Sequence, residues 1–164
     1  MLGRIFRILG ILVALLVIAI GALFVGARFH DGPLAVIPGG PLVAGELVES
    51  PADWSFAAAI PEIEMQLAYE DSSRVTWIVV NEGAAYIPAS LSYPPGKRWH
   101  KAADQNGAAI VRIQGKRYPV TLKRVKDPAL EASLQQAAVA KYVNVPRGEA
   151  GVWFFEFEPR AGGT

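Results

Sequence analysis

The stretch ILGILVALLVIAIGALFVGA, Ile8–Ala27, holds twenty residues without a charge and is flanked by Arg7 and Arg28. An α-helix of this length, at about 1.5 Å per residue, is roughly 30 Å long, which matches the hydrocarbon core of a bilayer. A cleaved signal peptide is the alternative, because Val25–Ala27 has the small residues of a cleavage site, but the apolar region of a signal peptide is usually only about 7–15 residues long. We therefore predict that residues 1–28 are a retained, single-pass transmembrane anchor.

The charges beside this stretch predict its orientation. Arg4, Arg7 and the amino terminus precede it, whereas Arg28 follows it with Asp31 close behind. Positively charged flanks favour the cytoplasmic side of a membrane. The N-terminus is therefore expected in the cytoplasm and the globular domain outside, in the periplasm or another extracytoplasmic space.

The rest of the chain is mildly acidic. The three arginines up to Arg28 carry +3 and the whole chain has a formal net charge of +1, so the remaining residues carry −2. Nucleic-acid-binding proteins usually show a basic footprint, so we expect the lipid bilayer, and not nucleic acid, as a partner. The absence of cysteine excludes disulfides, thiolate catalysis and cysteine-ligated metals.

A segment rich in glycine and proline follows the anchor, over residues 29–54. These residues disrupt both helical and strand periodicity, yet the segment carries many apolar side chains that a flexible linker would lack. We predict an ordered arm that lies on the next domain or on the membrane. One folded domain is then expected over residues 55–164.

Alternation of residue type predicts strands in this domain. Apolar and polar residues alternate over Glu62–Tyr69, as in a half-buried strand, and β-branched or aromatic residues dominate several later segments. Asp127 followed by Pro128 is typical of a helix start. Six strands and two helices are predicted: Glu62–Tyr69, Val75–Val80, Ala84–Ala89, Ala108–Ile113, Arg117–Val125 and Val152–Glu158 as strands, and Lys97–Gln105 and Pro128–Tyr142 as helices. Without βαβ alternation, this order predicts a mainly β, antiparallel small barrel with two short helices.

Seven short motifs occur along the domain in a characteristic order. They are E-I-E-x-Q-L (Glu62–Leu67), S-R-V-T-W-I-V-V (Ser73–Val80), G-x-x-Y-I-P (Gly83–Pro88), K-R-W-H-K-A (Lys97–Ala102), I-x-G-K-R-Y (Ile113–Tyr118), D-P-A-L (Asp127–Leu130) and V-W-F-F-E-F-E-P-R (Val152–Arg160). Together, over roughly Trp54–Arg160, they resemble the split β-barrel proteins of the pyridoxamine-phosphate-oxidase-like and deazaflavin-dependent nitroreductase-like kind. The N-terminal transmembrane helix is an addition to that pattern.

The resemblance implies a six-stranded split β-barrel that binds FMN or a deazaflavin, often as a homodimer, although other members have lost the cofactor. In such barrels arginine, lysine and hydroxyl side chains hold the flavin phosphate, and an aromatic ring lies against the flavin ring. The matching positions in this sequence are Arg74, Thr76, Lys97, Arg98, Trp99 and Lys101, with Trp77 as a second candidate for the ring contact.

No catalytic side chain or metal site is predicted. His30 and His100 lack the spacing of metal ligands, and no carboxylate is locally paired with them. Motifs for nucleotide triphosphatases, Rossmann enzymes, α/β-hydrolases and c-type haem are also absent.

Two functions remain open from the sequence. The first is a non-catalytic accessory or structural subunit of a larger membrane complex, bound to another membrane protein or to a second copy of the chain. The alternative is a membrane-tethered flavin- or deazaflavin-dependent oxidoreductase that acts on a small acceptor, because the cofactor would itself carry the chemistry. The apolar arm and the lack of catalytic side chains favour the first.

Overall fold

The apolar stretch forms one helix, α1 (Leu2–Ala27), in a computed structural model that describes residues 2–143 and 151–160. Gly3–Ala27 is long and apolar enough to cross a membrane, judged by length and composition, and its most apolar window has no side chain covered by the rest of the chain. A signal sequence would share this length and composition, and the orientation across the membrane stays a prediction.

Seven strands form one antiparallel sheet. They are β2 (Glu62–Leu67), β3 (Ser73–Trp77), β4 (Val79–Asn81), β5 (Ala84–Ser90), β6 (Ala108–Ile113), β7 (Lys116–Arg124) and β8 (Val152–Pro159), in the spatial order β3-β2-β6-β7-β8-β5-β4. A two-residue strand in the arm, β1 (Glu46–Leu47), pairs with β7 in parallel. The end strands β3 and β4 are separated only by Ile78, so the sheet curls back on itself as a half-barrel. The predicted mainly β, barrel-like fold class is confirmed.

The predicted strand Val75–Val80 is wrong as a single strand, because it is interrupted at Ile78. The hydroxyl of Tyr142 lies 3.1 Å from the Ile78 amide and 2.7 Å from its carbonyl, and Lys141 Nζ donates to the same carbonyl at 2.9 Å. The backbone of Ile78 is therefore bonded to the side chains of Lys141 and Tyr142, at the end of the second short helix. Its side chain, fully buried, fills the core. With this break and β1, the described part of the chain has eight strands in place of the six expected.

Two short helices cover the sheet, as predicted. The first, α2 (Trp99–Gln105), begins two residues later than expected, and α3 (Pro128–Lys141) ends one residue earlier. Asp127 caps α3, because its carboxylate accepts a hydrogen bond from the Ala129 amide at 2.9 Å. A 3-10 helix (Ser55–Ala57) closes the end of the arm.

The core has two parts, on the two faces of the sheet. The larger fills the half-barrel around residues such as Trp54, Met65 and Phe155, whereas Phe154 and Leu134 belong to a smaller cluster beneath α3. Phe154 and Phe155 are neighbours that point to opposite faces of β8, which lies centrally between β7 and β5. This strand is therefore an interior strand of the sheet.

Side chains of the half-barrel bind the arm. Arg112 on β6 pairs with Asp31 at 2.7 Å and with Glu64, and it also donates to the Ala44 carbonyl. The hydrogen bond with the side chain of Glu64 raises the pKa of Arg112, and this effect is larger than the opposing effect of burial. Burial acts to raise the pKa of Asp31, but hydrogen bonds from the Val43 amide and Arg112 outweigh it and lower that pKa.

The arm also joins α1 to the sheet. Ala27, the last residue of α1, is fully buried, and the amide of Gly40 donates to the His30 carbonyl at 3.0 Å. A Cβ atom at Gly40 would lie 2.6 Å from the Arg28 carbonyl, so glycine permits this close approach. Ser73 at the start of β3 donates to the Gly40 carbonyl at 2.5 Å. The end of the apolar helix is therefore joined to the half-barrel through Gly40 of the arm.

Candidate functional site

A cavity of about 540 Å³ lies where β3, β5 and β8 approach α3 and the segment before α2. Small-molecule sites usually have volumes of about 300–1,000 Å³. We call it the Trp99 cavity. Its lining is mainly apolar and aromatic, and consists of Val36, Glu62, Val75, Thr76, Trp77, Pro88, Ser90, Tyr93, Pro94, Lys97, Trp99, Gln135, Ala138, Val152 and Phe154.

The aromatic walls of the Trp99 cavity are fixed by packing. Trp77 stacks on Tyr142, with ring centroids 4.5 Å apart and an interplanar angle of 8°. Trp99, at the first position of α2, is buried and lies 5.8 Å from Phe155 of the core. Both indoles are therefore held in place before any ligand arrives, which lowers the ordering cost of binding an apolar or planar molecule.

Lys97 supplies the positive charge among the described lining residues. Its Nζ donates to the Tyr93 carbonyl at 2.7 Å and lies 5.9 Å from the centroid of Trp99. Burial lowers the pKa of Lys97 to about 8. An ammonium group has three donors, so this one retains hydrogen-bonding capacity toward a ligand anion. Glu62 contributes a carboxylate to the same lining.

The structure brings together four of the six residues predicted to bind a cofactor. Thr76, Lys97 and Trp99 line the Trp99 cavity, and the guanidinium of Arg74 lies 5.9 Å from the ring centroid of Trp99. Arg74 is already bound to Glu70 at 2.5 Å. Burial lowers the pKa of Arg74, more than the nearby Glu70 raises it.

Arg98 and Lys101 lie apart from these four. Both are exposed, and neither is among the described lining residues. Arg98 is the residue that precedes α2, and Lys101 is in its first turn. Their role in cofactor binding stays a prediction, and any ligand contact there would be outside the cavity.

Several lining residues were not singled out as binding residues from the sequence. Phe154 has the pattern of a core residue, and Tyr93 lies between a predicted strand and a predicted helix. Val36 lies in the arm, twenty-six residues before Glu62, the nearest lining strand residue. An aromatic residue directly before two prolines is the sequence signal that marks Tyr93. Val36 reaches the lining only because the arm folds back onto β3.

The lining suits the ring system of a flavin better than its phosphate. Trp77 and Trp99 offer flat apolar surface, but a phosphate dianion is usually held by several cations. The described lining offers one, Lys97, together with the carboxylate of Glu62. The residues that form the cavity therefore do not fit a phosphorylated flavin as a whole.

A second groove, of about 510 Å³, lies between α2, β7 and the start of α3. Its charges are largely paired with each other: Lys123 with Glu158 at 2.6 Å, and Arg124 with Asp104 at 3.5 Å. Arg124 also covers the ring of Trp153 at 3.5 Å. With both signs of charge compensated locally, this groove shows no preference for a ligand class.

The two histidines have structural surroundings. His100 is buried at 5.3 Å from the ring of Trp153, and burial, assisted by Lys97 and Lys101, lowers its pKa. His30 Nδ1 lies 3.1 Å from the Gly32 carbonyl in the arm. Within residues 2–143 and 151–160, no group of three or more histidine, aspartate or glutamate side chains is arranged to hold a metal ion.

Comparison with known proteins adds one similarity. No protein-family model matches the sequence, and no curated protein is significantly similar to it. Among solved structures, the chain is similar to a Listeria innocua protein described as a candidate pyridoxamine 5'-phosphate oxidase, with a TM-score of 0.44 and 9% identity, over 61% of this chain and 83% of that one. The fold class described above therefore rests on the strand order of this chain, and its function must be argued from its own residues.

Proposed function

We propose that this chain is a non-catalytic accessory subunit of a larger membrane protein complex. In this proposal α1 spans the bilayer with its N-terminus in the cytoplasm, and the arm holds the half-barrel outside, against the membrane surface. The partner is another membrane protein or a second copy of the chain. The observation that carries the proposal is the use of the half-barrel's polar side chains to bind the arm.

Two of the three buried polar residues of the described chain serve this attachment. These residues are Gln66, Ser73 and His100. Gln66 accepts a hydrogen bond from the Leu42 amide at 2.8 Å, and Ser73 donates to the Gly40 carbonyl. A buried polar group is costly unless it is hydrogen-bonded, so these two groups stabilise one defined position of the arm.

Two arginines extend the same attachment. Arg112 binds the side chain and the carbonyl of Asp31, and Arg117 donates to the Gly45 and Leu42 carbonyls at 3.0 Å each. Arginine is suited to this task because its planar group carries five donors in a fixed arrangement. A tether that only prevented diffusion would need none of these bonds, whereas a subunit that presents one face to a partner needs them.

The proposal is tested with tagged full-length protein, extracted from its native membrane in mild detergent. We expect it to migrate on a native gel as part of a complex larger than its own dimer, with a membrane protein in fixed stoichiometry. The variant Arg112→Met, which frees the arm, should lower the yield of that complex. Lys123→Met is the matched control, because Lys123 pairs with Glu158 at the surface and does not contact the arm. Migration as a monomer, or a complex indifferent to Arg112→Met, would contradict the proposal.

The oxidoreductase remains the second candidate, and the aromatic lining of the Trp99 cavity is the observation in its favour. The same purified protein tests it through its visible spectrum and through titration with FMN and a deazaflavin. The oxidoreductase predicts yellow protein, or tight uptake of one flavin that is lost in Trp99→Ala. A colourless protein that binds neither flavin would exclude it.

A further inference from the structure

We propose that the Trp99 cavity binds a single-chain anionic amphiphile, a fatty acid, that enters from the bilayer and places its carboxylate on Lys97. The inference goes beyond the accessory role, and it rests only on the part of that proposal in which α1 is retained in the membrane. Position, lining and charge carry the argument.

The position of the cavity follows from the contacts at the end of α1. Gly40 lies against the carbonyls of Arg28 and His30, and it is bonded to Ser73, the first residue of β3. The residues of β3 that line the cavity begin at Val75, two residues after Ser73, which is about 7 Å of strand. The headgroup layer beyond the hydrocarbon is about 5–8 Å thick. A membrane-spanning α1 therefore places this end of the cavity at the lipid headgroups.

The mouth of the cavity is apolar where it would meet those headgroups. Val36, in the arm, lines the cavity and is 94% exposed, and Tyr93 lines it with 68% exposed. Phe29, two residues after the end of α1, is 86% exposed. Such exposed apolar groups beside an apolar helix are stabilised by contact with lipid, and a tyrosine ring is favoured at the membrane interface.

The lining favours a ligand with one negative charge and one hydrocarbon chain. The walls are mainly apolar, which suits a hydrocarbon chain, and Lys97 is the described cation among them. A carboxylate monoanion matches one ammonium group, whereas a phosphate dianion would meet both too few cations and the carboxylate of Glu62. The volume of about 540 Å³ is in the range of sites for one small molecule.

The experiment uses full-length protein reconstituted in nanodiscs of phosphatidylcholine, with dibromostearate as the probe, because bromine quenches tryptophan fluorescence on contact. Trp77 and Trp99 line the cavity, whereas Trp54 is buried in the core. We expect saturable quenching of part of the emission. Acetate at the same concentration should not displace the probe, because it lacks the chain.

Matched variants make the outcome decisive. Lys97→Met keeps the stem and removes the charge, and should weaken binding by about tenfold to a hundredfold. Lys101→Met, which changes an exposed lysine four residues further along, in the first turn of α2, should leave binding unchanged. Val36→Asp places a negative charge at an exposed position of the mouth, where folding is not at risk, and should also weaken binding.

Three results would overturn the inference: quenching that does not saturate, equal quenching in wild type and Lys97→Met, or displacement of the probe by FMN at equal concentration. The last would favour the oxidoreductase. If the probe binds as expected while no larger complex is found, the fatty-acid site stands and the accessory role fails.

Discussion

Replacement of Arg112 by methionine should detach the arm and destabilise the half-barrel together. Arg112 makes two ion pairs, with Asp31 and Glu64, and two bonds to the carbonyls of Asp31 and Ala44. Its side chain is 12% exposed, whereas the side chains of Asp31 and Glu64 are 33% and 29% exposed. Solvent therefore screens the two carboxylates in part.

The expected magnitude follows from these contacts. Hydrogen bonds to charged groups contribute about 1.5–3 kcal/mol each, and loss of one partner of a fully buried ion pair costs about 3–5 kcal/mol. With partly exposed partners, we expect Arg112→Met to lower the free energy of unfolding by about 2–4 kcal/mol. For a domain of this size, that corresponds to a fall in Tm of roughly 8–16 °C.

The assay is chemical unfolding of the full-length protein in detergent, followed by tryptophan fluorescence, to which Trp54, 2% exposed in the folded state, contributes. Lys123→Met, outside the arm, serves as the control. Adding Asp31→Asn to Arg112→Met should recover part of the loss, because one uncompensated carboxylate is removed. A change below about 0.5 kcal/mol for Arg112→Met would refute the reasoning, since surface substitutions typically cause changes of that size.

The pH dependence of the same site has a definite sign. The folded-state pKa of Asp31 is lowered, chiefly by the Val43 amide and Arg112 against the opposing effect of burial. Its contribution to stability is therefore present above the unfolded pKa of about 3.9 and is lost as pH falls through the lower folded pKa. Asp31→Asn should flatten the acid limb of the stability profile and leave its alkaline limb unchanged. An unchanged acid limb would contradict the assignment.

Three further outcomes are expected. Tyr142→Phe removes the hydroxyl that bonds to Ile78, and should lower stability by about 1–3 kcal/mol and accelerate hydrogen exchange of the Ile78 amide; normal exchange there would contradict the assignment of this hydroxyl. Val143→Cys introduces the sole thiol of the chain at a 99% exposed position, and a membrane-impermeant maleimide should label it in intact cells; labelling only after lysis would reverse the predicted orientation. Gly40→Ala places a methyl group against the Arg28 carbonyl, and should lower Tm and increase protease access to the arm. Gly96→Ala, which has open space around it but is strained by its positive φ, should lower Tm and leave protease access to the arm unchanged.

The local patterns of the sequence predicted most of the strands and helices. Alternation over Glu62–Leu67 and the Asp127-Pro128 pair are signals between near neighbours, so a single sequence contains them. The break at Ile78 was not predictable in this way, because it depends on Tyr142, sixty-four residues later in the chain. The preference of Val79 and Val80 for strand is correct locally, and only the distant hydroxyl divides the strand in two.

The site was predicted less completely for the same reason. Lys97 and Trp99 could be predicted because both belong to the motif K-R-W-H-K-A (Lys97–Ala102), which is part of the resemblance. The participation of Val36 depends on the fold of the arm, which is fixed by Arg112 and Asp31, eighty-one residues apart. Charge and residue type identified the candidates for binding, but not which of them share one cavity.

The contact between Gly40 and the residues directly after α1, Arg28 and His30, has a consequence for the molecule in the plane of the membrane. A half-barrel on a flexible linker would rotate independently of its membrane helix. A half-barrel attached through Gly40 rotates only when the helix rotates. Gly10 and Gly21 lie on the same side of α1, eleven residues apart, which is about 20° around the helix. A neighbouring helix that packed against that side within the lipid would therefore also fix the direction in which the Trp99 cavity faces in the plane of the membrane.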